Sequence, residues 1–262
     1  MSKYRLISES KQADHAMYEK EILESIDHPF IVKFEQFSQD KRCIYMIQEF
    51  INGGEFLTLL TQKRRLDSSS AKFFSCQVAL TLQYLHKNNI IYRDLKPENM
   101  LVDRSGYLRL IDFGLSKKLY SKTMTICGTP YYIAPEVLKN KGYSFEADWF
   151  SFGIFIYETL IGRVPFDGAN SMEVFSSILY DKVRFPKNFN EDARNLISGL
   201  LRKDPTKRYT GRKVLNHKFF SKIDTEAMLK KNLEPPFFPT VKNASDTSNF
   251  KKFKISMLNE DN

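Results

Sequence analysis

The chain has 262 residues, 42% of them hydrophobic, and 40 Lys and Arg against 31 Asp and Glu give a formal net charge of +9. Such a composition predicts a folded chain with a real hydrophobic core, in one domain or two lobes, and excludes disorder over the whole length. The basic residues are scattered, with no zinc-finger, homeodomain or RNP signature, so we do not expect nucleic acid as a partner.

The first predicted element is an amphipathic helix over Lys11–Ile26, which stops before His28-Pro29. Two β-rich runs follow, over Ile31–Phe37 and Cys43–Phe50, and the polar turn between them predicts a hairpin. These elements indicate a small lobe that contains the hairpin and occupies residues 1–50.

Asn52-Gly53-Gly54 then breaks the chain, and helical periodicity dominates after it, as over Ala71–His86 and Trp149–Ile161. We therefore expect a hinge, then a mostly helical lobe over residues 51–220. From residue 221 to 262 a charged, proline-containing tail follows without strong periodicity. The predicted class is α+β, in two lobes.

Cysteine usage and hydropathy indicate the compartment. The three cysteines are widely spaced and form no zinc-ligand pattern, which predicts free thiols: Cys43, Cys76 and Cys127. The longest largely apolar run, Phe150–Tyr157, is far shorter than the roughly 18 residues of a membrane span, and the start MSKYR resembles no signal peptide. We expect a soluble protein without a membrane anchor, in the cytoplasm, with the nucleus as a second location.

The stretch Tyr92–Asn99, YRDLKPEN, carries side chains suited to phosphoryl transfer. The reaction needs a held nucleotide, magnesium over the phosphates and an aligned acceptor. Asp94 can accept or orient a hydroxyl proton, and Lys96 can neutralise charge on the transferred phosphate. Asn99 and Asp112 supply the hard oxygen ligands that suit Mg²⁺. ATP and Mg²⁺ are thus the expected nucleotide and metal.

The order of these motifs is more specific than any one of them. YRDLKPEN is followed by two short predicted strands, over residues 100–102 and 108–110, then by Asp112-Phe113-Gly114, Ala134-Pro135-Glu136 and Asp148. This order is similar to that of protein kinases. Tyr92, Gly128-Thr129-Pro130 and the tail motif DTSNF at 246–250 resemble the AGC group, which includes the cyclic-AMP-dependent kinases, and the likeness covers nearly the whole chain.

The resemblance implies a role for each matching position. By it, Glu19 would pair with a nucleotide-binding lysine, Glu49 and Ile51 would be hinge residues that face adenine, Leu101 would lie beneath the base and Phe250 would close the pocket from the tail. Glu136 and Arg208 would form a buried ion pair under the activation segment. A regulatory subunit is implied as a partner.

The resemblance also implies a switch and a substrate preference. Thr125 matches the activation-loop phosphosite, and its implied phosphate ligands are Arg93, Lys117 and His15. Protein substrates with basic residues before Ser or Thr would meet Glu55, Glu98 and Glu158, and a hydrophobic residue after the acceptor would meet Ile126, Pro130 and Ile133. Tyr131 stands where the family has an acid that reads a distant arginine, so we expect a weaker arginine requirement there.

One family feature does not occur in the printed sequence. No glycine precedes Gly53, so neither the Gly-rich loop nor the lysine opposite Glu19 is found. Three explanations stay open: an incomplete gene model, a pseudokinase or docking module with little activity, and a working kinase in which Lys3 or the terminal amine replaces the lysine.

Overall fold

The computed structural model describes the backbone over residues 10–40 and 43–250, and side chains from Ala16 onward within those ranges. The helices, in chain order, are α1 Ser10–Glu24, α2 Phe56–Lys63, α3 Ser68–Lys87, α4 Pro135–Leu138, α5 Glu146–Ile161, α6 Ser171–Tyr180, α7 Glu191–Leu200, α8 Gly211–Leu215 and α9 Thr225–Leu229. The strands are β1 Phe34–Gln39, β2 Ile44–Gln48, β3 Ile90–Ile91, β4 Met100–Val102, β5 Leu108–Leu110 and β6 Lys117–Lys118.

The region before the hinge consists of α1 and the antiparallel pair β1 and β2. The predicted hairpin is confirmed, but its first strand begins later than expected. Ile31 and Val32 do not pair with β2; the Val32 amide donates to the carbonyl of Leu110 at 3.0 Å, and the Leu110 amide donates to Phe30 at 2.8 Å. The Val32 amide and the Phe30 carbonyl are therefore bonded to β5, and pairing with the second strand begins after Val32, where the Lys33 carbonyl accepts from the Glu49 amide at 3.0 Å.

Three predicted helices differ from the observed ones at their ends, and one of them, α5, begins at Glu146 instead of Trp149. α1 ends at Glu24 instead of Ile26, because both the amide and the hydroxyl of Ser25 donate to the carbonyl of Ile22, at 3.0 and 2.8 Å. α3 begins at Ser68 instead of Ala71, because the Asp67 carboxylate accepts from the amides of Ser69 and Ser70 at 2.8 and 3.0 Å.

The core of the helical part lies around α5, whose residues from Ala147 to Tyr157 are all buried. Gly153 allows α5 to approach α7 closely, since a Cβ there would lie 2.8 Å from the Cβ of Leu200. α5 also packs on α3. A helix that is apolar on every side belongs in the centre of a domain, and α5 fills that place. Within the described residues no helix is long and apolar enough to cross a membrane.

Up to Phe250, the tail contains one helix that the sequence did not predict, α9, which is capped by the Asp224 carboxylate. Beyond α9 the chain passes over the helical part and reaches the hinge. The Asn52 side-chain amide donates to the carbonyls of Asn243 and Ala244 at 3.1 and 3.3 Å, and the Asn249 amide donates back to the carbonyl of Asn52 at 3.0 Å. The end of the described tail is thereby held against the hinge.

Candidate active site

The loop after β3 is held in place by a carboxylate from α5. Asp148 is 1% exposed, and its oxygens accept from the amides of Tyr92 and Arg93 at 2.9 and 2.8 Å. His86 Nε2 lies 2.7 Å from the same carboxylate. Arg93 has a φ of +72°, a conformation that L-residues seldom adopt and that costs on the order of 1 kcal/mol. The bonds to Asp148 hold the loop in this conformation.

Three of the predicted catalytic side chains form one cluster at the end of that loop. The Asp94 carboxylate is 2.7 Å from Lys96 Nζ and accepts from Asn99 Nδ2 at 2.8 Å. Thr129 Oγ1 joins them, donating to Asp94 at 2.9 Å and accepting from Lys96 at 2.8 Å. Thr129 is the side chain that sequence reasoning missed as a site residue, although the motif Gly128-Thr129-Pro130 contained it. The cluster thus holds the buried carboxylate of Asp94 and the cation of Lys96 side by side.

Asp112 completes the predicted catalytic set from a second loop. It has a φ of +60°, and its carboxylate accepts from the Gly114 amide at 3.2 Å. The Ile111 amide donates to the carbonyl of Asn99 at 3.0 Å, so the two loops that carry the proposed magnesium ligands are tied together. The Asn99 side-chain nitrogen is engaged with Asp94, which leaves its amide oxygen as the ligand atom. An amide and a carboxylate oxygen fit Mg²⁺, which keeps its remaining positions for phosphate and water.

A cavity of about 450 Å³ opens at the hinge, between the hairpin and the loops just described. Its lining includes every residue predicted to face the nucleotide, together with Asp112: Glu19, Glu49, Ile51, Leu101 and Phe250. The Glu49 carboxylate is turned to Arg109 Nη1, at 3.1 Å, and accepts from the Lys33 amide at 2.8 Å. Glu49 therefore presents its backbone to the cavity wall and its charge to the large lobe.

Glu19 lies in the cavity without a cation. Burial raises the pKa of its carboxyl, the nearby charge of Asp112 raises the pKa further, and a hydrogen bond from the Phe113 backbone opposes the rise. Within the part of the chain that the structure describes, no lysine, arginine or histidine forms an ion pair with Glu19. The carboxylate is thus destabilised where it stands.

The predicted activation switch surrounds a second cavity, of about 420 Å³. Thr125, Arg93 and Lys117 all line it, and the Thr125 side chain is exposed. Arg93 Nε donates to the carbonyl of Leu115 at 2.5 Å, and the Tyr143 hydroxyl donates to the carbonyl of Thr125 at 2.5 Å. The fourth predicted member, His15, has a side chain outside the described residues. Three members are therefore within one cavity.

The predicted substrate-binding acids divide into a pair and a single residue. Burial raises the pKa of Glu158, a hydrogen bond from the Tyr132 hydroxyl opposes this, and the negative charge of Glu98 adds to the rise. Glu55 is exposed at the start of α2. Of the three predicted apolar positions, Ile126 is exposed, Pro130 is half-buried and Ile133 is buried. Ile133 thus offers little surface to a substrate.

The predicted ion pair of Glu136 and Arg208 is present and buried. Arg208 Nη1 and Nη2 contact the two carboxylate oxygens of Glu136 at 2.5 and 2.8 Å, and the side chains are 0% and 7% exposed. The guanidinium also donates to the backbone carbonyls of Arg202 and Glu146 at 3.0 and 2.8 Å. Every face of the cation is matched by an acceptor or by the ring of Phe150.

A small lobe with a hairpin, a helical lobe, a hinge cavity lined by Asp112 and a cluster of Asp94, Lys96 and Asn99 on a neighbouring loop are together the architecture of a protein kinase. Residues 2–220 match the family model described as the protein kinase domain, and the chain belongs to that family. The expectation of a two-lobed α+β fold of the serine/threonine kinase class is confirmed.

Among its relatives, the chain is 44% identical over 250 residues to a cAMP-dependent protein kinase catalytic subunit of Arthrobotrys oligospora, covering 93% of this chain and 48% of the relative. It is 39% identical to the catalytic subunit PRKX of Homo sapiens, covering 93% and 69%. It is 41% identical to the serine/threonine-protein kinase gad8 of Schizosaccharomyces pombe, covering 95% and 45%. The chain spans 38 to 64% of the first three curated relatives that it matches.

Proposed function

We propose that this protein transfers the γ-phosphate of ATP to serine or threonine in protein segments that carry basic residues before the acceptor. The cluster of Asp94, Lys96, Asn99 and Thr129 carries the proposal. A carboxylate held by three donors has a fixed direction, so an acceptor hydroxyl could donate to it while Lys96 balances the charge on the incoming phosphate.

The roles of the remaining residues follow from their places around the hinge cavity. Ile51, Leu101 and Phe250 offer apolar surface to a purine, and the Glu49 backbone lies at its edge. Asn99 and Asp112 would hold Mg²⁺, which supplies positive charge against the phosphates. The pair Glu98 and Glu158, with Glu55, would bind the basic residues of the substrate. We place the reaction in the cytoplasm, with the nucleus as a second location, and expect a regulatory subunit as a partner.

The proposed switch is phosphorylation of Thr125. A phosphate brings almost two negative charges and three acceptor oxygens, and Arg93 and Lys117 line the same cavity as Thr125. Arg93 neighbours Asp94 in sequence, and its backbone amide is bonded to Asp148. A phosphate bound by Arg93 would therefore stabilise the loop that carries the proposed proton acceptor. We also propose that the protein binds a distant arginine of the substrate more weakly, because the exposed Tyr131 stands where the family has an acid.

One observation supports a second candidate, a binding module with little activity. The Glu19 carboxylate has a raised pKa and no cationic partner among the described residues. A carboxylate in that state does not position a lysine on the nucleotide phosphates, and loss of such positioning lowers the rate of transfer. A kinase would transfer phosphate with appreciable turnover, whereas a binding module would show little. Both would bind basic protein segments.

Transfer of labelled phosphate from Mg-ATP to a peptide with two arginines before its serine separates the candidates. We expect Asp94→Asn to lower kcat by about 100-fold to 10,000-fold, the usual size of a proton-transfer contribution. Asp167→Asn, on an exposed loop, is the matched control and should leave kcat unchanged. The same assay with Thr125→Ala should give a lower kcat. Equal counts from the wild type and Asp94→Asn would overturn the kinase proposal in favour of the binding module.

A further inference from the structure

Four exposed arginines lie close together at the far end of α5. They come from the turn between α2 and α3, from the turn after α5 and from the segment after α6, and we name them the arginine ledge: Arg64, Arg65, Arg163 and Arg184. Lys63, at the last turn of α2, adds a fifth exposed cation beside them. The proposed catalytic cluster and the activation cavity do not include any of these residues.

The backbone forces the first three arginines together. Gly162 ends α5 with a φ of +85°, and a Cβ on it would overlap the carbonyl oxygen of Arg64. The Leu66 amide donates to the carbonyl of Thr159 at 2.7 Å, which fastens the α2–α3 turn to the last turn of α5. The backbones of the two turns are thus in van der Waals contact, and the turns cannot separate without breaking this bond.

Tyr157 brings the fourth arginine into the group. Its hydroxyl donates to the backbone carbonyl of Arg184 at 2.7 Å. Burial raises the pKa of Tyr157, and the positive charge of Arg163 opposes that rise. The backbone of Arg184 is therefore held against the last turns of α5, which lead into Arg163.

The charge of the ledge is only partly balanced from within. In the described ranges none of these four arginines forms an ion pair. The acid that is nearest in sequence, Asp67, keeps one negative charge, and its oxygens accept from Ser69 and Ser70 at 2.6 to 3.0 Å; the four arginines exceed that charge. Like charges held at short range repel each other, and an anion from outside would relieve that repulsion.

The ledge lies beyond the proposed substrate acids as seen from Asp94. Asp148, near the start of α5, anchors the loop that carries Asp94, and Glu158 follows ten residues later, about 15 Å along the helix. The Gly162 amide donates to the carbonyl of Glu158 at 2.7 Å, so the ledge begins one helical turn further on. A substrate whose arginine reaches Glu158 from the acceptor side would meet the ledge with its more N-terminal residues.

We propose that the arginine ledge binds acidic side chains that lie N-terminal to the basic residues of the protein substrate. The proposal rests on the kinase function given above and specifies its substrate class. An extended peptide advances about 3.3 Å per residue, so an Asp or Glu two to four residues before the arginine bound by Glu158 would reach the ledge. A polynucleotide suits the path less well, because Glu98 and Glu158 would repel its phosphates next to the ledge.

Three peptides that share one acceptor motif of two arginines before a serine test the proposal with the full chain. One carries three acidic residues N-terminal to the arginines, one carries their amides and one carries lysines. At low salt we expect the acidic peptide to have a KM about 3- to 10-fold below that of the amide peptide, the size of one or two exposed ion pairs, with kcat unchanged. The lysine peptide should have the highest KM, and the differences should shrink as salt screens the charges.

The double variant Arg65→Ser with Arg163→Ser should abolish the advantage of the acidic peptide and keep the KM of the amide peptide. Arg104→Ser with Arg212→Ser removes two exposed arginines from other elements and is the matched control; it should keep the advantage.

Equal KM values for the acidic and amide peptides, or an advantage that survives in the ledge variant, would overturn the inference. Inhibition by single-stranded RNA that is lost in the ledge variant, without an acidic advantage, would overturn it in favour of nucleic acid. Absence of transfer to the amide peptide by the wild type would instead contradict the kinase function itself.

Discussion

Replacement of Arg208 by methionine tests how much the chain depends on its buried ion pair. The guanidinium is fully buried, and it contacts Glu136 at 2.5 and 2.8 Å and two backbone carbonyls at 2.8 and 3.0 Å. Methionine keeps much of the apolar stem and removes all of these donors. The Glu136 carboxylate then stays buried without its counter-ion.

The expected loss is large because the stranded charge dominates it. Removal of one partner of a buried ion pair costs about 3 to 5 kcal/mol, whereas replacement of both partners by apolar side chains is often close to neutral. We therefore expect Arg208→Met to lower the free energy of unfolding by about 4 kcal/mol, and Glu136→Leu with Arg208→Met to lower it by less than Arg208→Met alone. For a chain of this size 4 kcal/mol corresponds to about 10 °C in Tm.

Urea unfolding followed by tryptophan fluorescence measures the difference, since the single Trp149 lies in the core of the helical part. Lys207→Met is the matched control, because that neighbouring cation is exposed and its ion pair with Asp204 is at the surface. It should change the free energy of unfolding by less than about 1 kcal/mol. A loss below 1 kcal/mol in Arg208→Met, or a double variant less stable than Arg208→Met, would refute the reasoning.

Two further predictions concern pH. The raised pKa of Glu19 means that the folded state binds its proton more tightly than the unfolded state, so this residue destabilises the fold as pH rises through the folded pKa. Glu19→Gln should therefore raise the urea midpoint at pH 8 and leave it nearly unchanged at pH 4. A lower midpoint for this variant at pH 8 would contradict the prediction. Burial lowers the pKa of His28 to about 4, so the folded state resists its protonation and stability falls as pH drops from 6.5 towards 4. Relative to wild type, His28→Asn should recover up to about 3 kcal/mol at pH 4 and below, measured by urea titration, and an equal acid sensitivity in both proteins would exclude His28 as the cause.

The sequence was sufficient for the parts of the fold that local chemistry decides. The strands β4 and β5 lie at the predicted residues, because a short apolar run on each side of a polar turn has few alternatives. The start of β1 was wrong because the Val32 amide and the Phe30 carbonyl are bonded to Leu110 of β5, a strand almost 80 residues later. A local sequence pattern around β1 carries no information about β5. For the same reason the ends of helices were less predictable than their existence.

In the candidate site, too, local motifs predicted some features and contacts between distant residues decided others. The motif order named Asp94, Lys96 and Asn99, and the structure brings these residues into one cluster. The direction of the Glu49 carboxylate depends on Arg109, sixty residues later, and no motif connects the two. The arginine ledge joins turns about 100 residues apart, so sequence reasoning saw only scattered basic residues there.

Helix α5 fixes the distance between the proposed catalytic groups and the proposed substrate-binding groups. Its first turn holds Asp148, which fixes the loop that bears Asp94, its last turn holds Glu158, and the helix ends at Gly162, where the ledge begins. The burial of α5 on all sides prevents it from sliding, since Gly153 already lies against Leu200 at contact distance. Each residue turns a helix by about 100°, so the insertion of one residue between Asp148 and Glu158 would rotate the substrate acid away from Tyr132 and Glu98. The spacing along α5 thus relates the site of phosphate transfer to the charges that would select the substrate.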